Sequence, residues 1–252
     1  MTTNAGGGQK RMTSEEWIRE AEWALANTDS YTAVFHKQER IKGRLKAEEV
    51  VLLKFRKPFK IYMRWLQGPG KGREAIYAEG WNHNRIKVHE PWMGTGFSLN
   101  LDPRGAIAMG GSRHLITDVG LENFLRLLGS SLRKNPSAEI MYRELGEEIV
   151  YGSRSRKVEY LFPRERAKGY YCYRTLINLA TESELPIKTS VYDWDGLLVE
   201  DYGYENLKLD AGLTEADFDA NNPEYRFSNE SSLDGIGYPV TPCPHSSRRA
   251  GR

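Results

Sequence analysis

The sequence has little of what marks a metal-dependent or disulfide-bonded protein. Only two cysteines occur among 252 residues, and neither has a Cys-x-x-Cys or Cys/His metal-ligand spacing. We expect a buried Cys172 and an idle Cys243, with a disulfide between them as the alternative in an oxidising compartment. The five histidines are scattered, which argues against a bound metal. They are His36, His83, His89, His114 and His245. We therefore expect no metal and no cofactor.

Long apolar runs are also missing. The longest is Val50–Leu53, far short of the roughly 18 residues that cross a membrane as a helix, so we expect no transmembrane segment. Residues 1–10 are polar and Gly-rich, unlike the apolar part of a signal peptide. Taken alone, this favours the cytosol, unless an export signal was trimmed or the start misplaced.

A strong net charge is absent as well, since the chain carries a net charge of +2. No global signature of nucleic-acid binding exists, and basic and aromatic residues between Phe55 and Trp65 alternate faces of a strand. We therefore expect no nucleic-acid partner. Basic residues concentrate between residues 37 and 64, and acidic residues between 195 and 234. They form either two solvated strand faces or a surface that steers an anionic headgroup or a charged partner.

What the chain does have is aromatic residues, 11% of the total, and long alternating segments, both of which favour strands. Alternation predicts the strands Tyr31–Ile41, Leu45–Arg56, Lys60–Leu66, Arg73–Glu79, Arg85–Glu90, Phe97–Leu101, Ala138–Tyr151, Arg156–Phe162, Tyr170–Ala180, Ile187–Trp194 and Leu197–Leu207. Short turns between consecutive strands make them antiparallel neighbours.

Two helices accompany these strands. Thr13 and Glu16 form a capping box before a helix over Glu15–Ala26, and a second helix runs from Thr117 or Asp118 to about Leu132. We predict a mainly β (α+β) fold: one curved antiparallel sheet or half-open β-barrel of about ten strands, with two main helices as plug or lid. Residues 1–12 form a flexible leader, 13–227 one domain, and 228–252 a disordered tail.

Inward-facing apolar residues suggest a cavity, because a sheet of this size has more of them than one small helix can cover. The alternative is a fully packed core. The candidates for an apolar ligand site are Phe55, Met63, Trp65, Phe97, Leu99, Phe124 and Leu128.

Polar candidates near the mouth of this cavity are Arg64, Arg113, His114 and Asp118. The last three also permit a hydrolase hypothesis, since acid–base residues often stand in loops. Ser112, however, lacks the Gly-x-Ser-x-Gly context of a nucleophile elbow. The competing interpretation is that Ser112 and Arg113 fix the loop while Thr117 or Asp118 caps the helix. We assign no catalytic residue.

The order of several motifs resembles the bacterial family of unknown function DUF1571 over roughly Thr28 to Phe227. The matching stretches are Tyr31–Arg40, Pro58–Trp65, Gly111–His114, Thr117–Leu121, Leu185-Pro186, Tyr192–Trp194 and Tyr202–Asp219. This family is similar to LolA/LolB-like lipoprotein carriers, half-open β-barrels with a helical lid that bind acyl chains inside.

The resemblance implies a non-catalytic protein of the periplasm or cell envelope that binds a lipid or a lipoprotein acyl chain as carrier or sensor. The alternative is a structural subunit that holds a protein partner in an envelope complex, for which the uneven charge is the motive. The hydrolase hypothesis on His114 and Asp118 is the third.

Overall fold

The fold is seen in a computed structural model, which describes residues 12–93, 97–134 and 139–227. Within these ranges the strands are β1 (Ser30–Ile41), β2 (Arg44–Leu45), β3 (Glu49–Arg56), β4 (Lys60–Gln67), β5 (Glu74–Ala78), β6 (Ile86–His89), β7 (Leu99–Leu101), β8 (Met141–Val150), β9 (Ser153–Leu161), β10 (Arg174–Ala180), β11 (Pro186–Tyr192) and β12 (Leu198–Leu209). The helices are α1 (Ser14–Ala26), α2 (Ala106–Met109) and α3 (Leu121–Lys134).

All of these strands belong to one antiparallel sheet, in the order β7-β6-β5-β4-β3-β1-β12-β11-β10-β9-β8, with β2 paired to β1. Within β3–β7 and within β8–β12, strands that follow one another in the chain are neighbours in the sheet, and the β1–β12 pair joins the two halves. In the described part of the chain the sheet does not close on itself, because its order ends at β7 and β8. The predicted fold class is confirmed.

The sheet must curve to bury its apolar face. Eleven strands spaced about 4.8 Å apart would span almost 50 Å if flat, whereas a helix is only about 10 Å wide. Yet one apolar cluster contains Val88 of β6, Val158 of β9, Trp17 of α1 and Leu125 of α3. The two ends of the sheet therefore wrap around α1 and α3. We call the face that meets these helices the inner face and the opposite one the outer face.

The start of α1 is set locally, as the sequence predicts. Thr13 Oγ1 accepts from Glu16 N (3.2 Å), and Glu16 Oε2 accepts from Thr13 N (2.8 Å). This capping box satisfies two backbone donors that the first turn leaves free. The apolar stripe that follows is buried against the sheet.

The α3 helix starts at Leu121 rather than at Thr117 or Asp118. Residues 116–118 form a separate 3-10 turn, after which Val119 is extended and Gly120 takes φ +130°. A helix cannot run through these two conformations. Gly120 also lies close to the sheet, since a methyl group on it would sit 3.0 Å from Tyr31 Oη.

The C-terminal segment, residues 213–227, covers the outer face of β3–β5. Tyr225 stacks on Tyr62 of β4 with ring centroids 4.0 Å apart, and Phe218 and Phe227 are buried beside it. Glu215–Phe218 of this segment form a 3-10 turn.

This segment also pairs some of the unevenly distributed charges of the sequence. Lys54 Nζ lies 2.7 Å from Asp217 Oδ1, and Arg56 Nη1 lies 2.8 Å from Glu215 Oε1. Basic residues of the first strands thus pair with acidic residues of the last segment. Part of the charge asymmetry is therefore used in ion pairs within the chain.

Candidate ligand-binding site on the inner face

The two helices fill most of the inner face. Seven of their apolar side chains are buried against the sheet: Trp17, Ile18, Ala21, Leu25, Leu121, Leu125 and Leu128. The helices therefore act as a plug, one of the two roles predicted for them.

The structure divides the predicted apolar candidates into three groups. Phe55, Met63, Trp65 and Leu128 are buried in the core cluster that also contains residues of both helices. Phe124 is partly buried against that cluster. Phe97 (65% exposed) and Leu99 (37% exposed) lie at the open β7 edge. The seven residues therefore do not line one cavity together.

One small cavity, of about 180 Å³, remains where the start of α3 meets the sheet. Phe55 and Phe59 line it from the sheet, and Val119 from the segment before α3. Its polar lining comes from four residues: Thr117, Glu122, Asn123 and Arg126. Among the predicted apolar candidates, Phe55 is the one that this cavity contacts.

A half-buried glutamate borders this cavity. Glu122 Oε2 accepts from Tyr31 Oη (3.4 Å), whereas Glu122 Oε1 is buried without a hydrogen-bond partner, 3.9 Å from Lys57 Nζ. Burial raises the pKa of Glu122, and the charge of Lys57 opposes that rise only in part. An unsatisfied buried acceptor of this kind costs about 1–3 kcal/mol. A ligand that donates a hydrogen bond here would recover that free energy.

A second polar cluster occupies the inner face of β1 and β12, where the loop at residues 110–115 lies on the sheet. Glu39 and Glu200 are buried, each about 3% exposed. Arg113 binds both, with its backbone N 2.9 Å from Glu39 Oε2 and Nε 2.6 Å from Glu200 Oε1. His114 Nε2 lies 3.0 Å from Glu200 Oε1, and the Tyr171 hydroxyl donates to the same oxygen.

The charges in this cluster stabilise one another. Burial disfavours the imidazolium of His114, but its hydrogen bond to Glu200 and the negative charges of Glu200 and Glu39 together outweigh burial and raise the pKa of His114. Burial likewise disfavours the carboxylate of Glu200, but the hydrogen bonds from His114, Tyr171 and Arg113 and the charge of His114 together outweigh it and lower the pKa of Glu200. This cluster therefore ties the loop to the sheet through paired charges.

The geometry around Ser112 lacks the nucleophile–base pair that a hydrolase needs. Ser112 Oγ accepts from Lys37 Nζ (3.1 Å) and donates to the backbone oxygen of His114 (3.0 Å), not to its ring. Asp118 accepts at its backbone oxygen from Asn123, and the ring of His114 bonds Glu200 instead. The observed contacts match the competing interpretation, in which Ser112 and Arg113 fix the loop.

Arg64 lies apart from the other polar candidates. It alternates along β4 with Met63 and Trp65, which pack in the inner core, so it points to the outer face. Sequence reasoning also missed Glu39 and Glu200. A signal for Glu39 was available, because it continues the inward alternation of Tyr31, Ala33, Phe35 and Lys37 at every second position of β1.

Three further features concern cysteine, metals and membranes. Cys172 is buried, its Sγ lies 3.2 Å from Thr175 Oγ1, and burial raises the pKa of its thiol to about 11. Cys243 lies outside the described residues.

Residues 12–93, 97–134 and 139–227 contain no cluster of three or more metal-ligating side chains. They also contain no helix that is long and apolar enough to cross a membrane.

Fold and site together define a class: an open antiparallel sheet wrapped around two helices, with a small apolar cavity at the start of α3. The chain belongs to the family described as "protein of unknown function (DUF1571)", whose model matches residues 28–227. This confirms the resemblance found in the sequence. A search of curated proteins finds no match.

Solved structures with a similar fold share little sequence. The lipoprotein LppX of Mycobacterium tuberculosis is 13% identical with a TM-score of 0.48, covering 80% of this chain and 99% of that one. An uncharacterized conserved protein from Thermus thermophilus is 12% identical with a TM-score of 0.47 (86% and 99% covered). A LolA superfamily protein from Nitrosomonas europaea is 11% identical with a TM-score of 0.39 (83% and 98% covered). We infer no ligand or function from likenesses this distant.

Proposed function

We propose that this protein is a non-catalytic binding protein of the cell envelope whose inner face takes an apolar ligand, a lipid or an acyl chain, at the opening between β3–β4 and α3. The observation that carries the proposal is the cavity between Phe55, Phe59 and Val119, beside the unsatisfied Glu122 Oε1. Apolar walls with a few converging polar groups are the usual form of a small-molecule site.

The size of the cavity sets what it can hold. Its volume of about 180 Å³ corresponds to about six groups the size of a water molecule. Six buried methylenes contribute about 5 kcal/mol before the ligand is ordered, at about 0.8 kcal/mol each. Sites for drug-sized ligands start at about 300 Å³. The cavity therefore takes the end of a chain, and a longer chain requires α3 to move away from the sheet.

The polar rim fits the other end of such a ligand. Arg126 is held by Asn123, with its Nε 3.2 Å from Asn123 Oδ1, and Lys57 stands near Glu122. A hydroxyl group can donate to Glu122 Oε1, and a carboxylate or phosphate can accept from Arg126.

Displacement of a fluorescent fatty acid tests the proposal. Wild-type protein is expected to bind cis-parinaric acid and to release it when palmitate is added. Val119→Phe fills the cavity and should weaken probe binding at least tenfold. Val150→Phe, on the outer face, is the matched control and should leave it unchanged.

Two results would overturn the proposal. One is that the protein binds no probe and that organic extracts of the protein purified from its native host contain no lipid. The other is equal probe binding by wild type and by Val119→Phe protein that is folded by circular dichroism. The envelope location is tested by fractionating the native host, where recovery of the protein in the cytosol alone would contradict it.

A further inference from the structure

The hairpin of β8 and β9 folds across the outer face of the second half of the sheet. The β8–β9 register shifts between Glu144 and Gly146, and such a bulge bends and twists a strand. Beyond the bend, Tyr151 at the hairpin tip stacks on His36 of β1, which is four strands away from β9 in the sheet order. The end of β8 therefore covers β10–β12 like a strap.

Beneath this strap lies a partly open cavity of about 490 Å³, larger than the one on the inner face. Its floor is formed by outward-facing residues of β10, β11 and β12, and its roof by residues 148–151. A volume of this size is within the range of about 300–1,000 Å³ that is typical of small-molecule sites. It is separate from the proposed apolar site and lies on the other side of the sheet.

The charged part of the lining consists of two ion pairs, each without net charge. Lys188 Nζ lies 3.3 Å from Asp201 Oδ2, and Lys157 Nζ lies 3.0 Å from Glu148 Oε1. Because the two lysines balance the two acids, the lining has no net charge to attract an anion or a cation. An acyl chain fits poorly as well, because it would strip water from four charged groups.

The same groups present donors and acceptors side by side. Ser190 Oγ donates to Asp201 Oδ1 (2.6 Å), and Asn178 Nδ2 donates to Glu148 Oε1 (2.7 Å). Each carboxylate keeps lone pairs, and each ammonium keeps hydrogens, beyond these contacts. Adjacent donors and acceptors of this kind complement hydroxyl groups, which donate and accept at once.

Flat apolar surfaces complete the lining. Tyr192 and Tyr151 contribute rings, and Leu176 and Leu198 contribute apolar floor. The guanidinium of Arg174 lies 5.4 Å from the ring centre of Tyr192 and steadies it. A ligand with C–H faces and hydroxyl edges meets both kinds of surface. We propose that the outer-face cavity beneath the β8–β9 hairpin is a binding site for a saccharide.

This proposal is tested by titrating the full chain with glucose, galactose, N-acetylglucosamine and maltose. The amide signals of the protein are monitored by NMR during each titration. At least one sugar should bind and shift the amide signals of Asn178 and Ser190 in wild-type protein, a readout that needs no variant. Asp201→Asn and Tyr192→Leu should each weaken binding at least tenfold. Asp195→Asn, at an exposed turn, is the matched control, and Val119→Phe should not affect sugar binding.

Failure here is separable from failure of the inner-face proposal, because the two sites use different probes and different variants. The saccharide proposal is wrong if none of the four sugars shifts these signals at millimolar concentration. It is equally wrong if inorganic phosphate or decanoate shifts them instead, or if both variants are folded and bind sugar as well as wild type does.

Discussion

The ring of Tyr151 stacks on the ring of His36, with centroids 4.7 Å apart and planes inclined by 17°. The two residues are far apart in the sequence and in the sheet order. Their contact positions the hairpin over the outer face, where it covers the larger cavity. The residue beneath Tyr151 is Gly203 of β12, and a methyl group at this position would lie 2.6 Å from Tyr151 Cζ.

Gly203→Ala is therefore expected to push the Tyr151 ring away from His36. Overpacking of this kind costs about 1–3 kcal/mol of the free energy of unfolding, which urea denaturation measures. Gly111→Ala is the control, since nothing lies within 4 Å of a methyl group there. In a Tyr151→Leu background the cost of Gly203→Ala should largely disappear. If the two costs add, Tyr151 is not the source of the clash.

The contact between His114 and Glu200 should make stability depend on pH. The pKa of His114 lies above its ordinary value of 6.5 in the folded protein, so its contribution is full below pH 6.5 and is lost as pH rises through the folded pKa. The pKa of Glu200 lies below 4.5, so its contribution is present above pH 4.5 and is lost as pH falls through the folded pKa.

His114→Gln should remove the contribution to the free energy of unfolding that the wild-type protein loses at high pH. We expect a loss of about 1–3 kcal/mol at pH 5.5, in line with a hydrogen bond between charged groups, and a smaller loss at pH 9. Urea denaturation at both pH values measures it, with the exposed His83→Gln as control. Equal losses at the two pH values would show that the charge of His114 does not contribute.

The packing of α3 can be tested by truncating one side chain on each of its faces. Leu125 is 1% exposed and packs in the core, whereas Leu127 is 48% exposed. Leu125→Ala should cost about 2–5 kcal/mol of unfolding free energy, and Leu127→Ala much less. A small effect of Leu125→Ala would indicate that α3 leaves the sheet readily.

The capping box of α1 predicts a smaller effect. Thr13→Ala removes the acceptor of Glu16 N and should lower stability by about 0.5–2 kcal/mol. Thermal denaturation measures the change, and Ser153→Ala at the exposed start of β9 is the control. An unchanged melting temperature would mean that α1 is held by packing alone.

Local patterns in the sequence predicted most of the fold. Alternation placed the strands to within a few residues, and the capping box placed the start of α1 at Thr13. Both patterns work because side-chain period and backbone capping depend on neighbouring residues only. The start of α3 was placed too early, since Thr117 and Asp118 are good caps but belong to a 3-10 turn that ends at an extended Val119.

The candidate sites were predicted less well. Phe55 lines the inner cavity, whereas Met63 and Trp65 are buried in the core cluster, whose assembly no local pattern gives. Asp118 was paired with His114 because they are close in sequence, but Glu200 is the partner in space. The outer-face cavity was not anticipated, because it depends on where a hairpin tip lands.

The sequence by itself determined which residues form strands and helices, which face of each strand is apolar, and the family. Those properties follow from the order of neighbouring residues. Only the tertiary structure decided how much of the inner face the helices fill, which charges meet, and that the hairpin tip reaches His36. These depend on the curvature of the sheet, which brings together residues that no local pattern connects.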